Sequence, residues 1–148
     1  MISVDTHRTN AVAKAGSDAF GDEWFFEPLT VLVKALNEEA QLSELGLQMT
    51  ERPLAALLVD RLRLRSLQAE NPEIKEVQVE VAAEILGLPR TGSTLLHRLM
   101  SASPQLTSTL SWECSYPLPF PGESPAAEVR KGKAKKMMEM FLELSPEF

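Results

Sequence analysis

One stretch, residues 85–100, constrains this chain more than any other. It reads ILGLPRTGSTLLHRLM. Gly87 and Gly92 bracket Leu88, Pro89, Arg90 and Thr91, and two hydroxyl residues, Ser93 and Thr94, follow. The pattern predicts the end of an extended segment, a tight loop, then a helix starting near Ser93. A helix start leaves its first N–H groups without intrahelical partners and carries the positive end of the helix dipole. An anion satisfies both. Gly92 permits a positive φ at the turn, and Pro89 stiffens the loop and pushes Leu88 towards an extended conformation. Ser93 and Thr94 offer hydroxyl donors, and Arg90 offers a planar fork suited to phosphate or sulfate.

In the phosphate-binding loop of NTPases the position after the second glycine is lysine, and Ser or Thr comes next. Here Ser93 stands in the lysine position and Thr94 in the hydroxyl position, and Arg90 is the one strong cation in the loop. The lysine is what reaches the β- and γ-phosphates. Without it, ATP or GTP hydrolysis fits poorly. A ligand with one 5′-phosphate group and no obligatory metal fits better.

The 148 residues suffice for one domain with a buried core. A formal net charge of −6 argues against a nucleic-acid partner, which needs a basic face. The single cysteine, Cys114, suits a reducing compartment. The first residues lack the basic-then-apolar pattern of a secretory signal. No apolar run approaches the ~18 residues of a membrane span. These features predict a cytoplasmic protein.

Taken in order, residues 1–22 read as a loose N-terminal arm with room for one short helix, and with His7 solvated. Residues 23–72 read as a helical hairpin. Its first helix, 23–45, has Pro28 in the first turn, an apolar stripe of Leu29, Leu32, Val33, Leu36 and Ala40, and Gly46 as its stop. Its second, 50–69, has Thr50 as cap, Pro53 in the first turn and a stripe of Leu54, Leu57, Leu58 and Leu62. Trp24, Phe25 and Phe26 read as a staple for the first helix rather than a ligand-facing patch. Arg61, Arg63 and Arg65 suggest an anion site, but an outer charged face beside Asp60 is the better reading.

Residues 73–148 hold the loop. Val77, Val79 and Val81 alternate with polar residues, as a half-exposed strand does. Leu95, Leu96, Leu99 and Met100 fall on one helical face that should pack on a sheet. His97 falls off that face and reads as structural or solvated. Residues 106–112 read as a second parallel strand. With 83–87 they span about 30 residues, the size of a βαβ unit. A right-handed crossover then brings both carboxyl ends to one edge, where open α/β sheets bind ligands. Glu113 should therefore share an edge with Arg90 and Gly92. It is a candidate general base, and equally a structural partner for Arg90 or another arginine. A stiff loop with prolines at 117, 119, 121 and 125 follows. A last helix over Glu128–Leu144 carries Lys131, Lys133, Lys135 and Lys136, with Met137, Met140, Phe141 and Leu144 as its apolar face.

The segment GLPRTGSTLLHRLM resembles the 5′-phosphosulfate loop of bacterial sulfotransferases, which transfer a sulfuryl group from PAPS (3′-phosphoadenosine 5′-phosphosulfate). The likeness extends to FGDEWFFEPL at 20–29, DRLRL at 60–64 and SWECSYPLPFP at 111–121, and so covers most of the chain from about Phe20. It implies an α/β, P-loop-type sulfotransferase fold, here helix-rich and incomplete, with the helical hairpin before the βαβ unit. Residues 73–148 would be the N-terminal part of that domain. The resemblance also implies that Pro89, Arg90, Thr91, Gly92, Ser93, Thr94 and Leu95 hold the 5′-phosphosulfate of PAPS without a metal. Arg90 would balance charge on the leaving oxygen. Some members use a glutamate soon after the loop as base, which suggests Glu113; many use a histidine further along.

The leading expectation is thus a PAPS-dependent sulfotransferase acting on a hydroxyl or amine of a small-molecule or lipid-like acceptor. An N-terminal fragment of such an enzyme, inclined to self-associate, is expected, because the family's 3′-phosphate clamp falls beyond Phe148. A non-catalytic helical interaction module with a vestigial loop, and a P-loop kinase or NTPase, are the competing classes.

Overall fold

A computed structural model describes residues 1–88 and 90–144, with the side chain of Leu144 outside that set. The chain divides into two compact units, Met1–Val77 and Gln78–Phe148.

The first unit is helical. The N-terminal arm carries one helix, α1, Val4–Ala15. Ser3 caps it by accepting from Thr6 N–H at 3.3 Å, and Gly16 closes it at φ 69°. Ala11 packs into the unit's core with Phe20, Leu58 and Leu62, and Leu62 is fully buried. His7 is buried as well, contrary to its expected solvation. Its Nε2 has no hydrogen-bond partner and lies 4.0 Å from Glu51 Oε1. The chain start is tied further along. Asn37 Oδ1 accepts from Ile2 N–H, and Asn37 Nδ2 donates to Ile2 C=O, both at 2.9 Å.

A 3-10 turn, Glu23–Phe25, leads into α2, Phe26–Glu38. Pro28 sits in the first turn of α2, where its absent N–H costs nothing. The helix ends well before the predicted 45, and Gln41 turns the chain at φ 46°. The predicted boundary failed because Ser43 outcompetes Thr50 as a cap. Ser43 Oγ accepts from Gly46 N–H at 3.1 Å, so α3 begins at Glu44 and runs unbroken to Glu70. Gly46 is in the first turn of α3 rather than past the end of α2. Thr50 lies within α3 and donates to Gly46 C=O at 2.8 Å. Pro53 falls inside the helix.

The main partner of α3 is α1, where the sequence suggested the helix before it. Phe20 anchors the connection, with Phe26 edge-on to it at 5.3 Å and Phe25 at 6.1 Å. The aromatic cluster is thus the expected staple, apart from Trp24, which is largely exposed. Arg61 donates to Phe20 C=O at 2.9 Å and Asp22 C=O at 2.7 Å. Gly21, at φ 76°, lies so close to Arg65 that an added Cβ would meet the guanidinium at 2.6 Å. Arg63 pairs with Asp60 at 2.9 Å. Arg61 therefore holds residues 20–22 over α3, Arg65 packs close to Gly21, and Arg63 is engaged by a carboxylate.

The second unit holds α4 (Ser93–Ser101), α5 (Ser111–Ser115) and α6 (Glu128–Leu144). Among the described residues no strand forms, so the predicted βαβ unit is not realised here. Residues 77–88 and 106–110 lack helical turns and ladder partners, and Trp112 and Glu113 belong to α5. Strand pairing is non-local; alternation prepares a segment for a ladder but supplies no neighbour. The α4 leucines have no sheet beneath them either: Leu95, Leu96 and Leu99 are exposed.

What organises this unit is Glu123. Its side chain is 1% exposed and lies 3.0 Å from Arg130 Nε. The two are in ionic contact without the alignment of a hydrogen bond at Nε. Glu123 also accepts from Phe120 N–H at 3.0 Å and Arg130 N–H at 2.9 Å. Arg130 stacks over Trp112 at 5.0 Å, which joins α5 to α6. Lys133 lies over Phe120 at 3.8 Å, and Lys131 and Lys135 pair with Glu128 and Glu139, so much of the basic patch is internally engaged. Met137, Met140 and Phe141 are exposed.

Candidate functional site: a loop at a helix start

The site is built on a short piece of backbone. Thr91 Oγ1 donates to Leu88 C=O at 2.7 Å, closing the loop over three residues. That bond explains the first glycine, since a Cβ on Gly87 would stand 3.0 Å from Thr91 Oγ1. Gly92 is the N-cap of α4 at φ 84°, a conformation that L side chains rarely adopt. Gly92 C=O accepts the first helical bond, from Leu96 N–H at 3.0 Å. Among the described residues no side chain caps the helix. The N–H groups of Ser93, Thr94 and Leu95 therefore start α4 as open donors at the positive end of its dipole.

Arg90 completes the loop. It adopts φ 65°, a left-handed conformation that costs a non-glycine residue roughly 1–2 kcal/mol. Its side chain is exposed and makes no hydrogen bond or ion pair among the described residues. Strain of this kind persists only where the surrounding chain imposes it, and it clusters at ligand clamps. Pro89 lies outside the described residues.

The expected site residues separate into distinct roles. Gly92 shapes the turn; Ser93 and Thr94 bring N–H and hydroxyl donors. Leu95 brings only its N–H, because its side chain is apolar and exposed. Thr91 has its hydroxyl proton committed to Leu88 C=O, leaving its N–H and the hydroxyl lone pairs.

Glu113 takes a place the sequence reading did not foresee. It is the third residue of α5 rather than the residue after a strand. Its Oε2 accepts from Leu110 N–H at 2.6 Å, and its own N–H donates to Leu110 C=O at 2.9 Å. It forms no ion pair with Arg90 among the described residues. The signal was present: a Glu at the third helical position reaching back to the cap is half of a capping box. His97 is exposed, as expected. With Arg98 and Ser101 it lines one side of an open groove of 390 Å³, opposite Ser108, Thr109 and Leu110. The Glu123–Arg130 pair was missed altogether. Burial by itself would raise the Glu123 carboxyl, but the N–H donors of Arg130 and Phe120 and the charge of Arg130 outweigh it and hold the group below the usual carboxylate range.

Among the described residues no group of three or more His, Cys, Asp or Glu side chains is placed to hold a metal ion. No helix among them is long and apolar enough to cross a membrane.

A glycine-capped helix start behind an arginine at positive φ leaves open N–H donors of the kind an anion satisfies. Residues 84–141, which contain this loop and Glu113, match the sulfotransferase family model. Over 99% of its length the chain also superposes on the crystal structure of the sulfotransferase STF1 from Mycobacterium tuberculosis, with a TM-score of 0.74 and 30% identity. Both likenesses are to the sulfotransferase family and support assigning the chain to it. It spans 40% of the length of that solved relative. No curated protein matches it.

Proposed function

We propose that residues 89–95 bind the 5′-phosphosulfate group of PAPS, and that the chain serves sulfuryl transfer to a hydroxyl or amine of a small-molecule or lipid-like acceptor in the cytoplasm. The observation that carries this reading is the start of α4, where a left-handed Gly92 coincides with an Arg90 and a helix start that no side chain among the described residues engages.

PAPS supplies an activated sulfuryl group; the chain supplies position and charge. The N–H groups of Ser93, Thr94 and Leu95 and the two hydroxyls orient the anion without reorganising during the reaction. Arg90 presents a cation that no carboxylate among the described residues neutralises, so its charge remains available to oxygen atoms that gain charge as the sulfuryl group departs. Glu113 has Oε2 committed to Leu110 N–H, and Oε1 remains open to accept a proton from the acceptor. Holding the anion against an oriented acceptor accounts for the catalysis, as it does in phosphoryl transfer. The uncovered α4 leucines favour association of the chain with a second copy or other polypeptide.

Calorimetry of the chain with adenosine 3′,5′-bisphosphate, the desulfated product, tests the reading. Binding to it in preference to Mg-ATP is expected. Preference for Mg-ATP would make the loop that of a kinase or NTPase, and binding of neither would leave a non-catalytic module.

A further inference from the structure

A groove of 230 Å³ runs along α2 and α3 in the first unit, walled by Phe25, Leu29, Leu54, Leu57 and Leu58 together with Arg61. Leu57 is 66% exposed although the rest of the groove wall, Arg61 apart, is apolar or aromatic. Arg61 is fixed there. Its Nε donates to Phe20 C=O, its Nη2 donates to Asp22 C=O, and its guanidinium lies 4.1 Å over the Phe25 ring. Its Nη1 has no hydrogen-bond partner among the described residues. Two acidic side chains close in sequence are engaged elsewhere, Glu23 by Arg8 at 2.8 Å and Asp60 by Arg63 at 2.9 Å. The groove is therefore an apolar trough with one rigid cation whose remaining donors are open.

We infer that this groove binds a single-chain anionic amphiphile, with the alkyl chain along Leu29, Leu54, Leu57 and Leu58 and the carboxylate or sulfate head on Arg61 Nη1. The chemistry selects among occupants. A peptide segment would bring backbone N–H and C=O groups against leucines that cannot pair with them. A small hydrophilic anion would leave the leucines in water. A neutral hydrocarbon would bury the open guanidinium donors without an acceptor. An alkyl chain carries no polar atom, and an anionic head gives the cation a charge-assisted partner. The groove, at 230 Å³, is of a size for a short alkyl chain. The groove lies within Met1–Val77 and owes nothing to the loop before α4, so this inference and the sulfotransferase reading stand or fall separately.

The test titrates the whole chain with hexanoate, octanoate, octyl sulfate and octanol below their aggregation concentrations. One saturable site is expected, with affinity rising two- to fourfold per methylene. Octyl sulfate or octanoate should bind at least tenfold more tightly than octanol, and added salt should narrow that gap. Leu57→Asp should weaken binding at least tenfold while the circular dichroism is unchanged, since an exposed side chain is not needed to fold. Arg61→Gln should abolish the preference for the charged head. Because Arg61 also holds residues 20–22, Leu57→Asp carries the test if that variant does not fold. Absence of saturable binding, parity of octanol with octyl sulfate, or indifference to Leu57→Asp overturns the inference. So does a change of mass in sedimentation on Leu57→Asp, which would assign the groove to a second copy of the chain.

Discussion

Glu113 closes the first turn of α5 by accepting from Leu110 N–H at 2.6 Å, so the candidate base is also a helix cap. The two roles use different oxygens and separate by substitution. Glu113→Gln keeps an amide oxygen for Leu110 N–H, and stability should change little. Glu113→Ala removes the cap and should cost about 0.5–1 kcal/mol in chemical denaturation. If Glu113 is the base, both variants lose turnover with PAPS while affinity for adenosine 3′,5′-bisphosphate stays nearly intact. Turnover retained by the Gln variant with an alcohol acceptor contradicts the assignment.

Arg90 couples strain to charge. Arg90→Gly removes the penalty of φ 65° and should leave stability unchanged or raise it by up to ~1 kcal/mol. The same change removes the loop's cation, so turnover should fall far more than product-nucleotide affinity. Equal losses in the two would mean that Arg90 contributes only ground-state binding.

The α4 start was legible because its causes are local: a glycine at the turn, hydroxyls behind it, apolar spacing after it. The helices were legible in kind but not at their ends. Ser43 and Thr50 both offer a cap, and only Ser43 has a free N–H three residues on, at Gly46. The burial of His7 could not be read, since it depends on α1 docking against α3, a contact more than forty residues apart in sequence. The Val77, Val79 and Val81 alternation encodes a strand face, yet pairing needs a neighbour that the alternation does not specify. Glu123 gave no sequence signal stronger than an acidic residue in a proline-rich loop.

Glu123 makes the second unit acid-sensitive. Its carboxyl is held below the usual range in the folded state, so its contribution is complete above the unfolded value of 4.5 and is lost as pH falls below that value through the folded one. Thermal melts of the wild type should therefore decline below about pH 4.5. Glu123→Gln should be less stable at neutral pH and show a flatter acid limb. A wild-type acid limb no steeper than the variant's contradicts this role.

Leu62 is fully enclosed where α1 crosses α3. Leu62→Ala should destabilise the first unit by about 2–5 kcal/mol. The loss should appear as faster amide exchange in α1 and α3. A loss below ~1 kcal/mol would show that the core collapses around the cavity.

The central claim is that the start of α4 binds the phosphosulfate end of PAPS. Amide chemical shifts of the chain titrated with adenosine 3′,5′-bisphosphate test it most directly. The account predicts saturable shifts centred on Arg90, Thr91, Gly92, Ser93, Thr94 and Leu95. It also predicts their loss in Gly92→Ala, where a Cβ is forced into φ 84°. Shifts centred elsewhere, or unchanged by Gly92→Ala, would contradict it.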